Sequence, residues 1–320
     1  MRHLFLTPIL LSLLLADAAT QDFGGRRGRD RVDRAPAELE HGDFQAASFH
    51  SPSLDEDVRY GVYLPDTYDP EGEEEYPLII WLHGMRNDYT RFHTAGGTAI
   101  VDRLIGEGRL PPLILVAADA GNSFYINGKS SGRYEDLITM DLLDEVRSKY
   151  RVADTRDMRA IMGISMGGLG ALKIALRKPG LFGSVAGHSS AILPEDPGDL
   201  PDQYQQMLWG RYGDQIFGNP LDEEKWRSEN PMHLVSVSDA ESLQGLRIYF
   251  DVGTRDRYQF ASTNTALHEA MEARQIPHTW VLIEGGGHAW TSGFPMEALE
   301  RSLLFVGEGF KSGKGDDRDP

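Results

Sequence analysis

The chain has no cysteine. Disulfides, a thiol nucleophile, thiolate metal sites and a lipid anchor carried on cysteine are therefore excluded. Positive charge is also scarce: 32 Lys and Arg face 49 Asp and Glu, a formal net charge of -17. Nucleic acids and anionic membrane surfaces recruit basic patches, so neither is an expected partner. Long apolar runs are missing as well. The stretch Leu4 to Leu15 is shorter than the ~20 residues that span a bilayer as a helix, so no stable membrane insertion is expected. No internal repeat is visible.

What is present suits a soluble globular protein. The 320 residues are 40% hydrophobic and 25% charged, enough for one α/β domain with additions, or at most two domains. Arg2 and His3, the apolar run, and then Ala16-Asp17-Ala18 read as a secretory signal over residues 1–18. The expected location is therefore periplasmic or secreted. Residues 19–40 are rich in Arg, Asp and Gly, the composition of a disordered linker. A catalytic domain is expected over 41–310 and a charged, frayed tail over 311–320.

Within the domain, Phe44–Phe49 and Val58–Leu64 predict an antiparallel start. Leu78–Leu82 and Leu113–Ala118 are apolar runs of the length of strands buried on both faces, and Met158–Met162, Phe182–Ala186, Leu246–Val252 and His278–Ile283 predict further strands. Helical spacing falls between them, at Thr98–Glu107, Tyr134–Tyr150, Leu169–Leu176 and Ala261–Arg274, and again at Pro295–Phe305. This alternation predicts a doubly wound, mostly parallel α/β sheet. Residues 189–237 break the rhythm with prolines and aromatics (Tyr204, Trp209, Tyr212, Phe217, Trp226) and predict an insertion over the sheet's C-terminal edge.

The chemistry centres on Gly163-Ile164-Ser165-Met166-Gly167-Gly168, between a predicted strand and a predicted helix. In that context G-x-S-x-G is a nucleophile elbow: a sharp turn lifts the Ser165 hydroxyl above the sheet, and side chains at 163 or 167 would collide. Serine needs a base, and the base needs an orienting acid. His288, after the last predicted strand and three glycines, supplies the base; the glycines predict a flexible loop. His188 is the rival histidine, expected to be structural or pocket-lining. For the acid, Asp251 and Asp256 compete. Pattern favours Asp256, in the loop, with Asp251 then bonding the loop's amides. The oxyanion needs N–H donors. Met166 follows the nucleophile, and the loop after Leu82 offers Met85 beside Gly84. His83 has no second histidine at ligand spacing, so neither a metal nor any other cofactor is expected.

His83-Gly84-Met85, the elbow, Asp251-Val252-Gly253-Thr254-Arg255-Asp256 and Gly286-Gly287-His288-Ala289-Trp290 together resemble the esterase D family of α/β-hydrolases. That family includes S-formylglutathione hydrolases, tributyrin-type, feruloyl and acetylxylan esterases, enterochelin esterases and the antigen 85 mycolyltransferases. The resemblance runs from about Asp43 to Phe310. It implies an α/β-hydrolase fold, Ser165 as nucleophile, Asp256 as acid, His288 as base, and Met85 and Met166 as oxyanion donors. It also implies that Asn122 and Tyr125 lie near substrate; Arg86 and Trp290, beside the oxyanion and histidine motifs, are further substrate-binding candidates. Tyr134-Glu135-Asp136 matches the start of the helix before the elbow, where capping and packing are expected. The activity implied is hydrolysis of carboxylic esters, short-chain or polysaccharide-linked, by an exported serine esterase. Acyl transfer to a sugar, or a non-catalytic glycan- or partner-binding protein, are the alternatives.

Overall fold

The computed structural model describes residues 38–200, 212–289 and 295–313. The expected signal, most of the expected linker, Tyr204, Trp209, Trp290 and the end of the tail lie outside them. The strands are β1 (Gly42–Ser51), β2 (Glu56–Pro65), β3 (Leu78–Leu82), β4 (Ile114–Ala118), β5 (Arg159–Ile164), β6 (Ser184–His188), β7 (Arg247–Gly253) and β8 (Thr279–Ile283). They form one sheet in the order β1-β2-β4-β3-β5-β6-β7-β8. The β1–β2 and β2–β4 pairs are antiparallel and the rest parallel.

Both faces of the sheet are covered at its centre, which is why β3 and β4 are apolar at every position. Successive side chains point to opposite faces. Leu78, Ile80 and Leu82 enter one core, Ile79 and Trp81 the other. The first core is closed by α2 (Leu142–Lys149), α3 (Met166–Arg177) and α5 (Phe260–Ala273), through Leu142, Leu169, Leu172 and Leu267. The second is closed by α1 (Gly97–Gly106) and α6 (Glu297–Gly313), through Val101, Leu104, Leu299 and Leu303. α6 runs past the predicted end at Phe305 because its apolar stripe continues through buried Val306 and Phe310.

The helix predicted over Tyr134–Tyr150 is interrupted by a π turn at Leu137–Asp141. Its Asp141 carboxylate accepts from the Ser51 and Ser53 hydroxyls and the Ser53 amide at the β1–β2 turn. The described part of the insertion belongs largely to the first core. Its helix α4 (Pro231–Val237) packs on α3 and α5. Trp226 and Phe217 are fully buried with ring centroids 5.0 Å apart, and the Trp226 indole N–H donates to the Pro194 carbonyl at 2.9 Å.

Candidate active site

The elbow forms where β5 ends and α3 begins. A Cβ on Gly163 would overlap the Gly167 carbonyl, and one on Gly167 would overlap the Leu82 carbonyl. That close approach turns the chain so sharply that Ser165 adopts φ 56 and ψ -116, a conformation a side chain rarely tolerates and one that stores about 1–3 kcal/mol. Three backbone bonds hold it there. Its N–H donates to the His188 carbonyl at 2.8 Å, and its carbonyl accepts from Leu169 at 3.0 Å and Ala191 at 2.9 Å. From Met158 to Leu176 every residue is buried except Ser165.

Parallel register carries the ends of β7 and β8 to the same rim. His188 pairs with Asp251, and Gly253 with Ile283. Beyond them, Asp256 Oδ2 lies 2.7 Å from His288 Nδ1. The Asp256 carboxylate has no exposed surface, and the His288 side chain has 7%. Asp256 Oδ1 accepts from the Tyr258 amide at 2.8 Å. The rings of Tyr258 and Phe260 stand edge-on to His288, at 4.6 and 5.8 Å between centroids. Sequence reasoning missed both, although two aromatics just after the acid were a visible signal. The following residue, Ala289, donates to the Ser189 hydroxyl at 3.0 Å, which ties the histidine loop to the end of β6 beside the elbow.

The glycines before His288 do not make a loose loop. Arg255 N–H donates to the Gly286 carbonyl at 2.8 Å, Thr254 N–H to Ile283 at 3.0 Å, and Gly285 N–H to the Thr254 hydroxyl at 2.8 Å. A Cβ on Gly253 would overlap the Gly286 carbonyl. Here glycine permits two loops to touch, which corrects the expectation of flexibility.

The loop after β3 lies against the elbow: a Cβ on Gly84 would sit 3.5 Å from Ser165 Cβ. Arg86 takes φ 62, and its N–H donates to Asn122 Oδ1 at 2.7 Å. The Asn122 amide nitrogen in turn donates to the Tyr212 hydroxyl at 3.1 Å. With Arg86 so engaged, the Met85 N–H is left without an acceptor among the described residues. Met166 is the first residue of α3, where amides have no intrahelical partner.

His83 is no metal ligand. Its Nε2 accepts from the Ala120 N–H at 3.1 Å, so the proton sits on Nδ1, which donates to the Gly84 carbonyl at 2.9 Å. Desolvation holds its pKa below the ordinary value and keeps the ring neutral. Tyr125 also departs from expectation. It is fully buried, and its hydroxyl donates to the His83 carbonyl at 3.0 Å. It props the loop from below and does not line a cleft; desolvation raises its pKa well above the ordinary value. Its own carbonyl accepts from Lys173 Nζ at 2.6 Å. That buried ammonium also meets Glu135 at 2.8 Å and Glu229 at 2.9 Å, so Glu135 is part of a buried ion cluster. Desolvation pushes Glu229 upward, but Lys173 and Arg177 outweigh it and bring its pKa to about 2.

His188 and Asp251 form a second imidazole–carboxylate pair, wholly in the core. Both Asp251 oxygens lie 3.0–3.1 Å from His188 Nδ1, the Tyr249 hydroxyl donates to Asp251 at 2.9 Å, and Ser302 Oγ lies 3.0 Å from His188 Nε2. The Asp251 carboxylate thus serves the core; it does not bond the loop amides as its position in the sequence suggested.

The chain has relatives among known proteins. The sequence profile of a protein family described as "Putative esterase" matches residues 51–299. This chain belongs to that esterase family. Its eight-stranded, mostly parallel sheet is the α/β-hydrolase fold of its solved esterase neighbours. An esterase of Mycobacterium tuberculosis is 29% identical to this chain over 244 residues, 70% of this chain and 51% of that one. The chain thus spans about half the length of the curated relatives it matches. Among solved structures, a ferulic acid esterase superposes with a TM-score of 0.69 at 25% identity, covering 85% of this chain and 100% of its own. The Staphylococcus aureus fluorophosphonate-binding serine hydrolase F superposes with a TM-score of 0.70 at 20% identity, covering 84% and 99%, and shares the fold.

Proposed function

We propose that this esterase is an exported serine hydrolase that cleaves carboxylic esters through an acyl-enzyme, on short-chain or polysaccharide-linked acetyl and feruloyl substrates. The observation that carries the reading is the buried Asp256–His288 contact of 2.7 Å on the rim where the strained Ser165 is the one accessible residue of the elbow. A carboxylate at Nδ1 keeps the proton there and leaves Nε2 as the base. Ser165 Oγ attacks the ester carbonyl as His288 Nε2 takes its proton. The Met85 and Met166 amides receive the oxyanion, each worth ~10²–10³ in rate. Collapse returns the proton to the leaving alcohol, and water then repeats the sequence on the acyl-enzyme.

The substrate class is supported by the ferulic acid esterase likeness and by a Xylanibacter ruminicola endo-1,4-beta-xylanase/feruloyl esterase, 30% identical over 154 residues, 46% of this chain and 21% of that one. Export is supported by the leader-like N-terminal sequence. No helix among the described residues is long and apolar enough to cross a membrane.

The test is labelling by a fluorophosphonate probe together with turnover of acetyl, butyryl, feruloyl and acetylxylan esters. Wild type should label and turn over at least one class, and Ser165→Ala should do neither. Full activity in Ser165→Ala would refute the mechanism. Product analysis with an added polyol separates hydrolysis from acyl transfer.

A further inference from the structure

We propose that His268, Glu272 and His278 form a binding site for a borderline divalent metal ion, zinc being the reference, remote from the esterase chemistry. His268 and Glu272 sit one turn apart on α5 and project from the same side. His278 immediately precedes β8, the edge strand that α5 leads into. One ligand atom from each of the three residues lies within 4.8 Å of the other two. Two imidazoles and a carboxylate are a donor set suited to zinc, with water completing the shell.

The rings are already oriented. His278 Nδ1 donates to the Ile276 carbonyl at 2.8 Å, so its Nε2 lone pair points into the cluster. A backbone carbonyl on the far nitrogen is how protein metal ligands are commonly set. Phe250 stacks on His278 at 18° between planes, and Trp280 stacks on His268 at 17°. His268 Nδ1 lies 2.8 Å from His278 Nε2, so one proton between them holds the pair in the metal-free protein. Two nitrogens on one zinc ion stand roughly 3.3 Å apart, and a small opening of the pair admits the ion. His268 then carries its proton on Nε2 and stays neutral. Glu272 Oε1, 3.9 Å from His278 Nε2 on a side chain that is 67% exposed, swings in as the third ligand. The bound ion would clip α5 to the edge of the sheet. The cluster lies at the entry to β8, whereas His288 follows its exit.

The test uses untagged protein dialysed against EDTA. Calorimetric titration should show one zinc ion bound per chain, with a raised melting temperature, and magnesium at equal concentration should do neither. Cobalt should give the visible bands of a low-coordinate nitrogen–oxygen site. Both His268→Gln and the surface variant Glu272→Gln should fold by circular dichroism. His268→Gln should weaken zinc by more than the roughly 10–100-fold lost with a merely supporting partner, and Glu272→Gln should weaken it measurably. Absence of stoichiometric zinc in the wild type, or wild-type affinity in either variant, overturns the proposal.

Discussion

His188 and Asp251 sit 3.0 Å apart with almost no exposed surface, in the same imidazole–carboxylate contact that His288 and Asp256 make at 2.7 Å. Both acids come from the end of β7 and the loop after it. The buried pair even meets a serine, Ser302, through Nε2. What separates the pairs is position. Ser302 lies inside α6 with no exposed surface, and its hydroxyl donates to the Leu299 carbonyl. Ser165 stands at a strained turn open to solvent. A triad needs an accessible nucleophile as well as a relay.

The two aspartates should therefore respond oppositely to the same substitution. Asp256→Asn should lower kcat on p-nitrophenyl acetate by roughly 10⁴-fold with little change in melting temperature. Asp251→Asn should retain most of the kcat of the folded fraction and lose roughly 1–3 kcal/mol of stability in urea titration. Equal kinetic damage from both would contradict this division.

Asn122 accepts from the Arg86 amide, next to the proposed oxyanion donor Met85. Asn122→Ala should lower kcat by up to about 10²-fold, with a smaller change in KM, because a displaced donor fails chiefly in the transition state. Asn122→Asp keeps the acceptor for Arg86 and should recover part of the loss. A change confined to KM would instead indicate a direct substrate contact.

Gly167→Ala drives a methyl group into the Leu82 carbonyl. Backbone on both sides allows no rotamer to relieve the overlap. Stability should fall by roughly 1–3 kcal/mol, and fluorophosphonate labelling should drop as the elbow shifts. An unchanged urea midpoint would show that the turn is softer than its packing suggests.

The Glu229 pKa lies at about 2 in the fold against an ordinary 4.5. Because the folded value is the lower, the ionised carboxylate contributes stability that is fully present above about pH 4.5 and is lost as pH falls toward 2. The shift corresponds to about 3 kcal/mol at 1.36 kcal/mol per pH unit. The pH dependence of the unfolding midpoint across that window should be shallower in Glu229→Gln than in wild type. Identical slopes would show that Lys173 is satisfied without this partner.

Much of this protein follows from local pattern. β3 and β4 are legible because a strand covered on both faces must be apolar throughout, and the helices because one stripe must be. The elbow is legible because its glycines answer clashes within a few residues along the chain. The order of the proposed serine, acid and histidine is likewise written in the sequence. Contacts between segments distant in sequence are not. That Asp256 reaches His288 while Asp251 turns into the core depends on the parallel register of β6, β7 and β8, which no single segment encodes. The same register made the glycines before His288 a site of loop contact. The family resemblance puts Tyr125 near substrate, but likeness of a segment does not fix which of its side chains are buried. The Tyr125 hydroxyl is buried on the His83 carbonyl, and its own carbonyl accepts from Lys173, a charge whose placement in the core makes sense only once Glu135 and Glu229 converge on it. Local sterics and hydropathy act along the chain and can be read there; burial of charge and the pairing of polar groups are settled only when the tertiary structure brings the partners together.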